Sequence, residues 1–575
     1  MPRTLAATLL LVALAAPAGR LALAKPSYVE PSKPFSKLVK AKSRAFSGKT
    51  PIPVPLITWG GDVATVLANG GRETAAGSIF AAEGLKLALN REDDFVKQVE
   101  SYLSGETPYL RGTLGMINMA SEALSADAGA RPVAVYQMTW STGGDALVVR
   151  GDIKKASDLK GKTIALQQYG PHVDYMDTIL RDAGISWSEV GVRWLKELTL
   201  PGYDTAGSAV DPASAFREDK TIDAAFVIIP DALALTSGGT VGTGAEDSVK
   251  GARILLSTKT ASRVIADIYA VRKDYLEKNR GDVEKFVRGL LKAQEKLADL
   301  VKRKSSNQTE YQQMLGNAAD LLFDTPQATS DVEGLIADCT FVGASGNVSF
   351  FADPKELRSF SKLTETIQKS LVEQKFLTAA KGLDSAGWDW ASLMGGTAVA
   401  PKKEEKRFDT QKVEKKLAQQ APGATPSEAL FSFEIYFKPN QDDFSAAEYK
   451  KDFDRALELS RTYAGAILQI VGHTDPMKYL RARKDGQPEA TVMQLAQSAK
   501  NLSLARANSV RKSLIEYAQG QAVSVDSSQF VVTGAGVDQP KHSSPASEAE
   551  WRDNMRVVFQ LINVEAELES FAPLN

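Results

Sequence analysis

Short apolar runs alternate with helical patterns through much of this chain, from residue 56 to about residue 396. The runs at 132–138, 162–166 and 224–229 have the length and β-branched content of buried strands. A long amphipathic stretch, from 275 to about 304, is typical of a helix. Because a strand that returns to a parallel neighbour needs a helical crossover, this alternation predicts parallel strands in α/β lobes.

Four motifs follow one another in this region: STGGDALVV at 141–149, ASDLKGKTIA at 156–165, IDAA at 222–225 and IYAVRKDY at 268–275. With these motifs the region resembles the NitT/TauT-type solute-binding proteins of ABC importers, the nitrate, sulfonate and taurine group. The resemblance implies a periplasmic-binding-protein fold whose two α/β lobes close on a small-molecule solute at the carboxyl ends of their strands. It also implies a receptor without catalysis that partners an ABC permease.

The expected solute site lies at the strand exits and in the loop 139–145. This loop offers an indole, hydroxyl groups and backbone N–H groups beside glycines, which allow close approach. The helix start after 162–166 adds unpaired N–H groups, which attract anions. The candidates for solute binding are Trp59, Trp140, Ser141, Thr142, Gly144, Tyr169, Gly170 and Asp231. The alternatives are core packing for the aromatic residues and helix capping for Asp231, and His172 is expected to be structural.

A second organising stretch is the apolar run 466–471, which continues into Gly-His-Thr-Asp and is followed downstream by NLSLARAN at 501–508. The run places the carboxylate of Asp475 at the end of a strand, and a helix can bring Arg506 beside it. An amino-acid head group presents an ammonium and a carboxylate together, so an aspartate and a bidentate arginine form a complementary clamp. The alternative is that Asp475 caps the next segment and Arg506 lies on a solvated helix face.

These motifs, with GAGVDQP at 534–540 and Asn-Met-Arg-Val at 554–557, resemble the OmpA-like family of peptidoglycan-binding domains. The resemblance implies a small α/β domain with a βαβαβ-type sheet that binds the diaminopimelate stem peptide of peptidoglycan. The residues that it assigns to peptidoglycan binding are Asp475, Arg506, Thr474, Asn508, Asn554 and Arg556. The chain departs from the family pattern at Met555, which replaces an arginine. It also separates Asp475 from Arg506 by 31 positions, which indicates an insertion at 476–500.

The remaining segments predict the domain organisation. Residues 1–24 combine an early arginine, an apolar core and small residues near the end, which is typical of a cleaved secretory signal. Residues 25–55 carry seven Lys/Arg against one acidic residue and several prolines, so we expect a solvated basic tether. The charged stretch 397–428 ends in a Pro/Gly break and is expected to be a solvated linker. A solute-binding domain at 56–396 and an OmpA-like domain at 429–565 complete the prediction.

Composition and motifs restrict the classes of function that the sequence favours. The balance of 69 Lys+Arg against 70 Asp+Glu gives a net charge of −1, which does not favour nucleic-acid binding. Cys339 is the single cysteine, and the sequence contains no catalytic motif, phosphate loop or Cys/His metal cluster. We therefore expect a periplasmic, wall-associated receptor with no cofactor and no metal. The alternatives are a wall-anchoring scaffold whose first domain docks a protein partner, and an enzyme similar to a pyrimidine synthase, which would need clustered cysteines and its own histidine.

Overall fold

The computed structural model describes residues 25–29, 34–199, 202–419, 429–437, 444 and 446–563. The predicted signal peptide at 1–24 lies outside these residues, as do residues 30–33 of the predicted tether and 420–428 of the predicted linker. Across the described residues, none of the helices combines the length and the apolar character needed to cross a membrane.

The described residues form strands and helices in alternation. The strands are β1 (Ile52–Leu56), β2 (Leu87–Arg91), β3 (Tyr109–Thr113), β4 (Pro132–Ser141), β5 (Asp145–Val149), β6 (Thr163–Gln167), β7 (Gly191–Leu195), β8 (Ala224–Ile228), β9 (Arg253–Ser257), β10 (Ala266–Arg272), β11 (Cys339–Phe341), β12 (Asp384–Ser385), β13 (Ala429–Tyr436), β14 (Ile467–His473), β15 (Phe530–Gly536) and β16 (Arg556–Ile562). The helices are α1 (Gly60–Asn69), α2 (Ile79–Ala82), α3 (Phe95–Leu103), α4 (Leu114–Leu124), α5 (His172–Asp182), α6 (Pro212–Glu218), α7 (Ile229–Leu235), α8 (Lys273–Lys302), α9 (Gln308–Phe323), α10 (Thr329–Ala337), α11 (Gly343–Ala352), α12 (Phe360–Glu373), α13 (Trp390–Leu393), α14 (Thr410–Gln419), α15 (Lys450–Thr462), α16 (Met477–Lys484), α17 (Glu489–Gly520) and α18 (Glu548–Asn554).

Two mixed sheets form two lobes, which together are called the N-terminal domain. Lobe 1 has the strand order β11-β4-β10-β3, with β12 beside β4 and the parallel pair β1–β2 against β3. Lobe 2 has the order β7-β6-β8-β5-β9. The chain crosses between the lobes at 142–144, from β4 to β5, and at 258–265, from β9 to β10. The predicted two-lobed α/β fold is confirmed.

The prediction of parallel strands is wrong for two central strands. β5 runs antiparallel to β8 and β9, and β10 runs antiparallel to β3 and β4. Each of these strands follows a short crossover from the other lobe and not a helix on the same sheet. A parallel return would require such a helical connection, so the crossovers leave these strands antiparallel to their neighbours.

The C-terminal domain is a small α/β unit built from β13–β16 and α15–α18, as the sequence predicts. Its strand order is β13-β16-β14-β15, with β14 parallel to β15 and antiparallel to β16. Two motif glycines let α17 approach the sheet closely. A Cβ at Gly472 would lie 2.0 Å from the carbonyl oxygen of Ser503, and one at Gly534 would lie 2.6 Å from that of Lys500. These glycines therefore set the position of the helix that carries Arg506.

The segment predicted to be a solvated tether packs against both lobes where it is described. The backbone N–H groups of Ser27 and Val29 donate to carbonyl groups of lobe 2 at 2.9 and 2.8 Å. Phe35 is fully buried, with its ring 5.7 Å from Phe95 in lobe 1 and 5.3 Å from Tyr169 in lobe 2. Strand β1 also begins within this segment. The tether prediction is wrong for these residues, because single apolar side chains find a core although the average composition is polar.

The predicted linker also differs from expectation where it is described. The side chain of Glu404 is buried between the two domains, and its carboxylate pairs with Arg263 at 3.0 Å, with Arg407 at 2.7 Å and with Arg461. Phe408 is buried nearby. This part of the segment is not a solvated linker, because its charges find partners on both domains that are distant in the sequence.

We expect Phe35→Ala to lower the free energy of unfolding of the N-terminal domain by about 3–5 kcal/mol, the usual cost of removing a buried phenylalanine ring. Chemical denaturation followed by tryptophan fluorescence measures this change. Lys49→Ala, at an exposed position of the same segment, is the matched control and should change the value by less than about 0.5 kcal/mol. Equal effects of the two substitutions would contradict the burial of the Phe35 ring in the folded domain.

Candidate functional site

Trp59 directly precedes α1 and lies against the first crossover between the lobes. Its indole N–H donates to the hydroxyl oxygen of Thr139 at 3.0 Å, and that hydroxyl donates to Asp267 at 3.0 Å. The ring packs on the crossover at Gly144, where a Cβ would lie 2.5 Å from the indole. The structure thus brings together two of the predicted residues, Trp59 from lobe 1 and Gly144 from the crossover.

Ser141 and Thr142 hold the first crossover in place. The Ser141 hydroxyl donates to one carboxylate oxygen of Asp145 at 2.6 Å, and the other oxygen lies 2.7 Å from Nε2 of the fully buried His172. The Thr142 hydroxyl pairs with that of Thr340 at 3.0 Å. The side chains of both predicted residues are therefore engaged by the protein itself.

Trp140 does not face the same space as Trp59. Its ring meets Phe350 edge-on at 5.7 Å, and the guanidinium of Arg263 lies 5.8 Å from it. Successive residues of a strand face opposite sides, and Thr139 faces Trp59. The two tryptophans predicted for one site thus lie on opposite faces of β4, and Trp140 belongs to the core.

Tyr169 and Gly170 lie at the exit of β6, as predicted, but in a packed environment. Tyr169 adopts a left-handed backbone conformation with φ of 62°, and its ring meets Phe35 and Phe376 edge-on at 5.3 and 5.9 Å. Gly170 is buried next to it. Core packing, the alternative to ligand contact, describes the surroundings of Tyr169.

Two residues near the crossover were missed by sequence reasoning. A Cβ at Gly143 would lie 3.2 Å from a carboxylate oxygen of Asp338 and 3.6 Å from Cε of Lys259. Burial and the charge of Asp145 raise the pKa of Asp338 to about 6, while Lys259 opposes the rise. No local motif marks Asp338 or Lys259, since they reach Gly143 only through the tertiary fold.

The predicted residue Asp231 is buried in the first turn of α7. The first N–H of this helix donates to the carbonyl oxygen of Gly144 in the crossover at 2.7 Å.

A buried ion cluster supports this region from behind. Arg111 is fully buried and bridges Asp62 of α1 at 2.9 Å and Asp267 of β10 at 3.0 Å. Burial raises the pKa of Asp62 to about 7, against the opposing charge of Arg111. Because removing one member would leave a buried charge unpaired, the cluster fixes α1 and therefore Trp59 against the sheet.

The second candidate site lies at the carboxyl end of β14. His473 and Thr474 are buried there, and Asp475 is half-buried. A carboxylate oxygen of Asp475 accepts the N–H of Met477 at 3.2 Å, which is the capping interaction that the sequence allowed as an alternative. Burial raises the pKa of Asp475, and Met477 N–H and the charge of Arg481 oppose that rise. The carboxylate is thus held at the start of the insertion, within the influence of Arg481.

Arg506 is buried on the sheet-facing side of α17. Its guanidinium lies 4.4 Å from the centre of the Phe437 ring, in a cation–π arrangement. The alternative that Arg506 lies on a solvated helix face is therefore wrong. The insertion forms α16 and the first part of α17, so it extends the helix that carries Arg506 without breaking it.

The other predicted residues of this site have separate roles. Arg556 donates to Glu434 at 3.0 Å and to a backbone carbonyl at 3.2 Å. Asn554 is fully buried and exchanges two hydrogen bonds of 2.9 Å with the backbone of His542, which fixes a loop. Asn508 is exposed and donates to its own helix. Arg556 therefore lies at the site, Asn554 shapes its rim, and Asn508 is on the helix surface.

The second candidate site and the contact with the N-terminal domain lie at opposite ends of β14. The loop before β14 contacts the N-terminal domain, since Gly465 N–H donates to the carbonyl oxygen of Thr260 at 3.1 Å. His473 ends the same strand, and a strand rises about 3.3 Å per residue, so this end lies about 20 Å away. The second site therefore lies at the opposite end of β14 from this contact.

The described residues thus form two domains, a two-lobed α/β domain followed by a small α/β domain. The model of the NMT1/THI5 like family matches residues 78–299, and that of the OmpA family matches residues 436–553. A comparison with curated proteins finds no match. The first match falls within the N-terminal domain, and the second falls within the C-terminal domain.

Similar solved structures include the periplasmic aliphatic sulphonate binding protein SsuA from Escherichia coli, with 16% identity and a TM-score of 0.39 over 62% of this chain and 95% of that chain. The periplasmic nitrate-binding protein NrtA from Synechocystis PCC 6803 has 13% identity and a TM-score of 0.37, over 64% and 89%. The desulfurization enzyme DSZB has 16% identity and a TM-score of 0.36, over 60% and 99%. These three structures are those of two binding proteins and one enzyme.

We expect the stability of the C-terminal domain to fall on acidification because of His473. Burial and the charge of Arg556 lower its pKa from 6.5 to about 3. Between these values the unfolded chain binds a proton that the folded domain does not. The stabilisation is therefore complete above pH 6.5 and is lost towards pH 3, at up to about 1.4 kcal/mol per pH unit.

Denaturation curves between pH 4 and 7 measure this slope. His473→Asn should flatten it, because the substitution removes the buried imidazole. A slope that is the same in His473→Asn as in the original protein would contradict a neutral, buried imidazole.

Proposed function

We propose that the protein is an exported solute receptor without catalytic activity, held at the bacterial cell wall by its C-terminal domain. The attachment to the wall is supported by a group of buried polar atoms at the end of β14. Among the described residues, Thr474 Oγ1, His473 Nδ1 and Arg556 Nη1 have no hydrogen-bond partner. Since buried polar groups are nearly always paired, such a group favours a polar ligand at this place.

The ligand that suits these residues is the amino-acid head group of the diaminopimelate stem peptide of peptidoglycan. The carboxylate of the half-buried Asp475 would accept hydrogen bonds from the ammonium group of this ligand. Arg506, fixed by Phe437, would donate to its carboxylate in a bidentate manner, with Thr474 and Arg556 as further donors. The insertion offers Arg481 as an alternative guanidinium, because its charge acts on Asp475.

Export and orientation follow from the same proposal. Residues 1–24 would be removed as a signal peptide, so that the mature chain starts at Lys25 in the periplasm. The wall site lies at the end of β14 opposite to the contact with the crossover 258–265. Binding to the wall would therefore leave the two lobes accessible to solute and to an ABC permease.

The solute would bind between the lobes, where Trp59, Gly144, Asp338 and Lys259 meet. Entry would require the indole to leave Gly144, because the ring fills the space above that glycine. An enzyme of the pyrimidine-synthase type is disfavoured, because its chemistry needs clustered, reactive cysteines. Cys339 is the single cysteine, and burial raises the pKa of its thiol well above the usual value.

A second candidate function is a wall-anchoring scaffold whose N-terminal domain docks a protein partner. The contacts of Trp59 with Gly144 and of Phe35 with Tyr169 favour it, since they close the lobes on one another. Native mass spectrometry of the gently purified protein distinguishes the two. A co-purifying small molecule of constant mass, lost in Gly144→Leu, supports the receptor. A protein partner retained in both proteins, with no small molecule, supports the scaffold.

We expect Asp475→Ala to weaken binding of a diaminopimelate-containing muropeptide by at least about thirtyfold, because the loss of one partner of a desolvated ionic hydrogen bond costs about 2–5 kcal/mol. Arg506→Ala should have a similar effect. Arg506→Lys keeps the charge but loses the bidentate geometry, so it should restore only part of the affinity. Isothermal titration measures these affinities, and cosedimentation with isolated peptidoglycan tests the same variants on the intact wall.

Lys512→Ala, at an exposed position of the same helix as Arg506, is the matched control and should bind as tightly as the original protein. Arg481→Ala decides between the two guanidinium groups. Unchanged affinity in Arg506→Ala together with loss in Arg481→Ala would move the carboxylate contact into the insertion. Unchanged affinity in Asp475→Ala would contradict the proposed contact between Asp475 and the ammonium group of the ligand.

A further inference from the structure

The C-terminal domain packs directly on the second crossover between the lobes. Gly465 N–H donates to the carbonyl oxygen of Thr260 at 3.1 Å, and Arg263 N–H donates to that of Thr462 at 3.3 Å. Beside the first of these bonds, the backbones approach so closely that a Cβ at Gly465 would lie 1.7 Å from the carbonyl oxygen of Lys259. The crossover 258–265 is therefore held along its length by the loop that follows α15.

The same loop and α15 also contact both lobes. In lobe 2, the Tyr463 hydroxyl donates to Asp182, the last residue of α5, at 2.8 Å. In lobe 1, Arg461 forms a buried ion pair with Glu356, with Nε 3.3 Å from a carboxylate oxygen. The C-terminal domain thus bridges the two lobes as well as the segment that joins them.

The described part of the linker completes the junction. Glu404 is buried between Arg263 of the crossover and Arg461 of α15, and Arg407 forms a third pair with it. Burial alone would raise the pKa of Glu404, but the three guanidinium groups hold it well below the usual range. The linker carboxylate is therefore ionised and joins the crossover to the C-terminal domain.

We propose that the C-terminal domain is a clamp that holds the two lobes closed, so that docking of this domain and opening of the lobes exclude each other. Opening a two-lobed protein changes the backbone angles of the crossovers and moves the lobes apart. Either change would break contacts of the C-terminal domain, because these contacts combine Asp182, Glu356 and the crossover in one surface. By linkage, anything that favours open lobes also favours release of the C-terminal domain, and the reverse holds.

Gly465→Val provides a selective test in the full-length protein. The atoms nearest to the added Cβ all belong to Lys259 and Thr260, so the substitution obstructs docking and not the packing of either domain. Gly520→Val is the matched control, since a Cβ there meets nothing within 4 Å. Glu404→Gln is a second release variant, because it removes the linker charge without changing its shape.

Distances between spin labels report both events without any solute or wall material. Cysteines replace the exposed Gln313 of lobe 1 and Lys220 of lobe 2 for the interlobe distance. Gln313→Cys with Lys512→Cys measures docking. Cys339 is buried and stays in place, and a protein with this cysteine alone is the check for unwanted labelling.

We expect one narrow interlobe distance in the original protein and in Gly520→Val. In Gly465→Val and Glu404→Gln the docking distance should broaden, and the interlobe distribution should shift to longer distances. A broadened docking distance with an unchanged interlobe distance would overturn the clamp. An unchanged docking distance in both release variants would overturn it as well, because the contacts described would not hold the domain. Neither result bears on wall binding, so the proposal fails separately from the proposed function.

Discussion

The structure of the N-terminal domain depends on a constraint of connectivity, because one chain has to cross twice between two sheets. The crossovers 142–144 and 258–265 deliver β5 and β10 into the middle of their sheets against the direction of their neighbours. The first crossover also supplies the glycine on which Trp59 packs. The second crossover contacts the C-terminal domain through Thr260 and Arg263. Strand direction, the candidate solute site and the domain junction are thus consequences of the same two connections.

Buried charge joins parts of the chain that are distant in sequence. Arg111 connects α1 to β10, and Glu404 connects the linker to both domains. Such groups contribute little net stability when complete, because desolvation offsets their attraction, but the loss of one partner is costly. Their effect is therefore on specificity: they allow one arrangement of helix, sheet and domain and penalise others. This explains why segments that look solvated by composition are ordered parts of the fold.

In the C-terminal domain, the residues that shape the candidate site differ from those that offer groups to a ligand. Gly472 and Gly534 seat α17 on the sheet, and Asn554 fixes a loop, so these motif residues shape the site without offering groups to a ligand. Asp475 and Arg556 offer charged groups at the end of the strands. The insertion leaves this frame intact because it forms α16 and lengthens α17 at its start, and it adds Arg481, whose charge acts on Asp475.

The sequence by itself determined the two domains, their α/β classes and the residues at the end of β14, because periodicity and compact motifs record interactions between near neighbours. It did not predict the antiparallel directions of β5 and β10, the burial of Phe35 and Glu404, or the approach of Asp338 to Gly143. It also placed Trp140 beside Trp59, although the alternation of β4 puts them on opposite faces. These features were decided only by the tertiary structure, since each depends on partners that lie far apart along the chain. A side chain's own neighbours in sequence do not specify whether such a distant partner will cover it.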